Sequence, residues 1–214
     1  METKAVIFDY DGVLMDSLGL VYKCYEDITK EFDNEILKKL SGKFDIADID
    51  WRITLANAGI TRPEDVKRVV EIFWKSWKEN EHLLKPIAGI KPVLEKLSKK
   101  YQLGIASNNW EKSISASLEQ FGLAGFFKSI AGGGDKQMFK PEPELLLHCM
   151  KELGAKPAES VYIGDMDGDI IAARNAKCKK AIAVTFGFHS HEKLLKLKPD
   201  VIVHKPEELL EAVR

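Results

Sequence analysis

Two kinds of apolar pattern alternate along the chain. Short runs rich in β-branched residues occur at 4–8 (KAVIF), 102–107 (QLGIAS), 128–131 (KSIA), 160–164 (SVYIG), 180–185 (KAIAVT) and 200–203 (DVIV). Runs of this length with little polar interruption predict buried strands. Between them, segments 91–100, 111–121, 142–153 and 167–177 carry apolar residues at helical spacing, and several close on glycine or lysine as helix C-termini do. Strands alternating with helices predict an α/β fold, a Rossmann-like parallel sheet with helices on both faces.

The interval from Ser17 to Pro86 breaks the rhythm, because it lacks a strand signal and is far too long for a crossover loop. It predicts an insert with its own core. Leu18, Val21, Tyr22, Tyr25, Ile28 and Phe32 form one apolar helical stripe; Val66, Val69, Val70, Phe73, Trp74 and Trp77 form another. These two stripes are expected to be the heart of a small helical cap, with further helices near 34–41 and 47–58. An entry strand is expected just after Asp16 and Ser17, and Pro86 and Gly89 mark the return. The expected division is a core domain of residues 1–16 and 87–214 and a cap domain of residues 17–86.

Charge narrows the partners. With 32 basic and 33 acidic residues and no tail of one sign, the chain lacks the electrostatic footprint of a nucleic-acid binder. A small-molecule partner is expected instead. The N-terminal METKAVIFDYDG has neither the apolar core of a signal peptide nor the length of a membrane span. The expectation is therefore a cytoplasmic protein without a membrane partner, monomeric or homodimeric, the aromatic-rich insert offering a dimer surface. Cys24, Cys149 and Cys178 are far apart and form no CxxC pair, so neither a disulfide framework nor a zinc site is predicted.

Ligands of an open parallel sheet bind beyond the carboxyl ends of its strands. Those points carry Asp9 and Asp11, then Ser107 and Asn108, then the loop leading to Lys140, then Asp165 and Asp169. Acids gathered in one dry pocket repel each other, and a hard divalent cation such as Mg2+ relieves that repulsion with oxygen ligands alone. Ser107 and Lys140 then suit the binding of phosphoryl oxygens. Asp9 is placed to attack phosphorus. Asp11, two residues along an extended chain and so on the same side, suits proton transfer to a leaving alkoxide.

FDYDGVLMDS, IASNN, KPEPELL and GDMDGD, in this order, resemble the four motifs of haloacid dehalogenase superfamily phosphatases, and the likeness runs over nearly the whole chain. The helical insert directly after the first motif resembles the subgroup with a small helical (C1-type) cap. FGFHSHEKL, KPDVIV and KPEELL most resemble phosphoglycolate phosphatases and their relatives. The resemblance implies Asp9 as nucleophile, Asp11 as general acid and base, and Ser107, Asn108 and Lys140 at the substrate phosphate. It also implies Mg2+ ligation by the Asp9 carboxylate, the Asp11 carbonyl and the Asp165 carboxylate, with Asp169 acting through water or orienting the ligands. Met166 and Asp167 depart from the family pattern; Asp167 is expected to be an N-cap or first-turn acid of the following helix.

Other clusters carry less. His189 and His191 form an H-x-H pair expected in a solvated loop near the pocket mouth, and Gly132–Gly134 with Asp135 a flexible turn before Lys140. Ser41, Gly42, Lys43 and Phe44 resemble the loop by which such caps choose substrate, where Lys43 meets a substrate carboxylate or is a solvated lysine. Dehalogenases and phosphonatases of this superfamily lack an acid at the place of Asp11, and its sugar phosphomutases usually carry a histidine early in the cap. Asp11 is present and no histidine lies between Asp16 and His82. The expectation is a phosphoric monoester hydrolase acting on a small phosphorylated metabolite, phosphoglycolate first. The alternatives are a sugar phosphomutase or a phosphate-binding regulatory protein without turnover.

Overall fold

The computed structural model describes residues 2–40 and 51–214. It divides into two compact units, Met1–Met15 with Pro86–Arg214, and Asp16–Lys85. Lys43 and its neighbours at 41–44, expected to form a loop, lie outside the described residues, as does the beginning of the helix expected near 47.

The larger unit is built on β1 (Ala5–Phe8), β4 (Gln102–Ser107), β5 (Phe127–Gly132), β6 (Ser160–Gly164), β7 (Lys180–Val184) and β8 (Val201–Val203); β2 (Met15–Asp16) and β3 (Lys85–Pro86) pair separately where the chain passes between the units. The six strands form one parallel sheet in the order β5-β4-β1-β6-β7-β8. With the two short strands left out, this is the doubly wound order 3-2-1-4-5-6, whose direction of winding reverses beside β1. All four residues of β1 are fully buried. Helices cover both sheet faces, which is why this strand reads as unbroken apolar sequence rather than alternation. Full burial of each Val, Ile or Phe contributes roughly 1.5–3 kcal/mol.

The helices of this unit are α5 (Ile90–Leu97), α6 (Glu111–Gln120), α7 (Gly133–Lys136), α8 (Glu144–Glu152), α9 (Asp167–Asn175), α10 (His191–Leu195) and α11 (Leu209–Ala212). Leu145, Leu146, Cys149 and Met150 of α8 meet Ala5, Ile7 and Ala106 of the central strands in one core cluster. Gly104 permits that packing, since a Cβ there would lie 2.6 Å from Cys149 Sγ. The segment 132–135, expected as a flexible turn, instead comprises the last residue of β5 and most of α7, a single helical turn. The glycines at this junction serve close approach: a Cβ at Gly132, the end of β5, would overlap the Glu111 backbone, and one at Gly133, the start of α7, the Met138 backbone.

In the smaller unit, α1 (Leu18–Thr29), α2 (Glu35–Leu40), α3 (Trp51–Asn57) and α4 (Pro63–Asn80) are described, and α1 packs along α4. The α1 stripe buries Val21, Tyr25 and Ile28 as expected. The α4 stripe differs. Only Val69 of its expected apolar residues is buried, while Phe73, Trp74 and Trp77 are half-buried and pack on one another, Phe73 and Trp77 stacking at 5.9 Å. Two helical turns beyond Val69, the buried position is Ser76, whose hydroxyl donates to Asp27 Oδ2 at 2.7 Å. A serine reads as polar in a pattern, yet a bonded hydroxyl is compatible with burial. The entry strand also falls earlier than expected: β2 ends at Asp16, and Ser17 is the N-cap of α1.

Candidate active site

Asp9 follows β1 directly, where the chain is still extended, and Asp11 lies in the turn that begins there. Gly12, at φ +74°, allows the chain to double back so that its N–H donates to the Met15 carbonyl at 2.8 Å. Ser107 is the last residue of β4, beside β1 in the sheet, and Asp165 follows β6 on the other side of β1. The parallel register aligns Phe8 with Ile105 and Ile163, so these carboxyl ends lie level.

Lys140 reaches this edge from the loop after β5. Its Nζ lies 2.8 Å from Asp9 Oδ1 and 2.6 Å from Asp169 Oδ1, and also donates to the Tyr162 hydroxyl at 3.0 Å. Tyr162 Oη in turn donates to the Ala106 carbonyl at 2.8 Å. Asn108 holds the Lys140 peptide, its Oδ1 accepting from Lys140 N at 2.8 Å, so its side chain is directed to that loop. Asp169, in the first turn of α9, is a brace as well as a charge. Its Oδ2 accepts from the N–H of Asp165 at 3.0 Å and of Met166 at 2.9 Å, and its reach back to the residue before the helix forms one half of a capping box.

Asp9, Asp165 and Asp169 are buried, and each offers a carboxylate oxygen within 4.8 Å of the other two. Burial is the main reason that Asp9 is pushed up to about 7; Lys140 opposes it, and Asp169 and Asp11 add to it. Asp165 is held well above the usual carboxylate range by burial first, then by Asp169 and Asp9. Burial works against the Lys140 ammonium, yet Asp169 and Asp9 together keep its pKa above the ordinary lysine value. Lys140 alone therefore does not compensate the acids.

The Asp165 carboxylate is tightly enclosed. Oδ2 accepts from Phe188 N at 2.6 Å, and a Cβ at Gly12 or Gly187 would overlap that oxygen. Oδ1 is buried and has no hydrogen-bond partner among the described residues. A buried carboxylate oxygen with no hydrogen-bond partner among the described residues, grouped with the Asp9 and Asp169 carboxylates, fits a divalent cation.

Several participants were not read from the sequence. Tyr162 is hidden within an apolar strand; its signal is a polar tip in an otherwise apolar run. Asn109 Nδ2 donates to Asp11 Oδ2 at 3.2 Å, and Asn109 N donates to Ser107 Oγ at 3.3 Å, so this residue joins two expected site residues. His189 corrects an expectation: its side chain is buried, not solvated. Its Nδ1 accepts from Asp167 N at 3.2 Å, and Nε2 faces Lys193 Nζ at 3.0 Å. Asp167 is the first residue of α9, 3.6 Å from Lys193 Nζ.

A family model described as haloacid dehalogenase-like hydrolase matches residues 6–184. A pyrophosphatase, PpaX, of Halalkalibacterium halodurans is 27% identical over 100% of this chain and 98% of its own length. A phosphoglycolate phosphatase of Aquifex aeolicus is 29% identical over 97% of this chain and 95% of its own. A haloacid dehalogenase-like hydrolase structure from Streptococcus pneumoniae superposes with a TM-score of 0.80 at 22% identity, covering 99% of both chains, a likeness of fold.

Proposed function

The chain belongs to the haloacid dehalogenase-like hydrolases, and on that premise we propose a magnesium-dependent phosphatase that cleaves a small phosphate monoester through an aspartyl phosphate on Asp9. The observation that carries the reading is the buried Asp9 carboxylate, ion-paired to Lys140 and grouped with Asp165, whose Oδ1 has no hydrogen-bond partner among the described residues.

Asp9 Oδ attacks phosphorus and the bond from phosphorus to the ester oxygen breaks; Asp11 gives its proton to the departing alkoxide. Asp11, now a carboxylate, takes a proton from water as that water attacks the acyl phosphate. Inorganic phosphate leaves and Asp9 is restored. Lys140 and the Ser107 hydroxyl hold phosphoryl oxygens, and Asn108 acts by fixing the Lys140 loop. Mg2+ would be held by Asp9, the Asp11 carbonyl and Asp165, with Asp169 orienting them. Bound there, it supplies Lewis-acid neutralisation of the phosphoryl charge.

Phosphoglycolate is the leading substrate, supported by the C-terminal resemblance and by the Aquifex relative; the PpaX relative makes pyrophosphate its rival. Selection between them is assigned to residues 17–86, Lys43 included. Phosphate release from a panel containing both, with and without Mg2+, tests the reading on the wild type and Asp9→Asn. Hydrolysis should require Mg2+ and fall at least about a thousandfold in the variant. Retention of activity by Asp9→Asn would exclude Asp9 as nucleophile.

A further inference from the structure

We propose that Asn109 is the positioning residue of Asp11, holding its carboxylate toward the leaving oxygen of the substrate; the inference rests on the phosphatase reading above. The Asn109 side-chain amide is oriented by its own loop. Its Oδ1 accepts from Trp110 N at 2.7 Å, which leaves Nδ2 to face Asp11 Oδ2 at 3.2 Å. This arrangement fixes which end of the amide meets the carboxylate, since the reversed amide would set donor against donor and acceptor against acceptor.

The Asn109 backbone is braced on both sides. Its N–H donates to Ser107 Oγ at 3.3 Å, and its carbonyl accepts from Gly134 N at 3.4 Å. Gly134 lies under Trp110, where a Cβ would come within 2.8 Å of the indole. The residue is thus seated between β4 and α7. Asp11, by contrast, is half-exposed on a turn, and without a directed bond its side chain would lose rotamer entropy each time it adopted a reactive orientation. Asn109 supplies one such bond, at Oδ2. By donating to Ser107 Oγ it also leaves the serine's own hydrogen for a phosphoryl oxygen. One asparagine therefore joins the hydroxyl that holds phosphate to the carboxylate that supplies the proton.

The dependence on leaving group separates this role from general support of the loop. An alkyl alkoxide needs a proton as it leaves, whereas p-nitrophenolate leaves without one, and kcat/KM reports only steps through the first irreversible one. The measurement is kcat/KM, with Mg2+, for phosphoglycolate or the best alkyl phosphate of the panel and for p-nitrophenyl phosphate. Wild type, Asn109→Ala and Asn109→Asp are compared. Asn109→Asp keeps an oxygen for Trp110 N–H but removes the donor facing Asp11.

Both variants should lose about tenfold or more on the alkyl ester while staying within about threefold of wild type on the aryl ester. Equal losses on both esters, no loss on either, or a wild-type Asn109→Asp would overturn the inference. A wild type without Mg2+-dependent hydrolysis, or an active Asp9→Asn, would remove the phosphatase reading and this one with it. A non-selective Asn109 result beside an active wild type would remove this one alone.

Discussion

Lys140 is the residue on which the electrostatics of the site turn. A single ammonium lies within 2.8 Å of two buried carboxylates, and removing it leaves them without their buried cationic partner. Lys140→Met should therefore lower stability in metal-free buffer by about 3 kcal/mol or more, as loss of one member of a buried ion pair does. Denaturant unfolding at neutral pH measures this. A variant as stable as wild type would mean that Asp9, whose pKa is already raised, sheds its charge by protonation at little cost. At this scale the acids, Ser107 and Lys140 were legible because each follows or ends a recognisable strand, or leads from one. Asn109 and Tyr162 were not. An asparagine in a loop and a tyrosine in a strand are ordinary by sequence, and only the folded backbone shows that their polar tips reach Asp11 and Lys140.

The elements act by where they end. β6 delivers Asp165 at its carboxyl end, α9 begins two residues later, and Asp169 ties the two together through the Asp165 and Met166 N–H groups. The loop after β7 then closes on Asp165 so tightly that there is no room for a side chain at Gly187. Gly187→Ala should displace the Asp165 carboxylate and weaken Mg2+ stimulation by tenfold or more, on the scale of lost support around a metal ligand, about 10–100-fold. The measurement is the Mg2+ concentration at half-maximal activity, with circular dichroism to verify the fold; an unchanged Mg2+ requirement would contradict the role given to Asp165. All six strands of the main sheet were legible as apolar runs. The two-residue strand β3 was not, being too short to carry a period, β2 was expected but placed too late, and the short helices α7, α10 and α11 give little periodic signal either.

For the whole molecule, the buried acids link protonation, metal and stability. Asp9 and Asp165 have folded-state pKa values above their unfolded ones, so between those values the native state binds the extra protons. Stability in chelator should therefore fall as pH rises from about 4 through about 7, since the slope follows the protons bound by the unfolded state minus those bound by the native one. Mg2+ should reverse the fall, most strongly at the upper end. Thermal unfolding from pH 5 to 8, with EDTA and with Mg2+, measures this, and a metal-free midpoint that rises over that range would count against the buried acid cluster. Among the described residues no helix is long and apolar enough to cross a membrane. The sequence by itself determined the parallel α/β sheet and the chemical types at its carboxyl edge, because the period of apolar residues fixes element type and strand ends fix where polar groups emerge. It did not determine which face of α4 is buried, that His189 is enclosed, or that Asp165 is clamped between two glycines. Those are outcomes of packing: whether a serine or histidine is buried depends on a partner distant in sequence, and whether a glycine is needed depends on which atom stands opposite it.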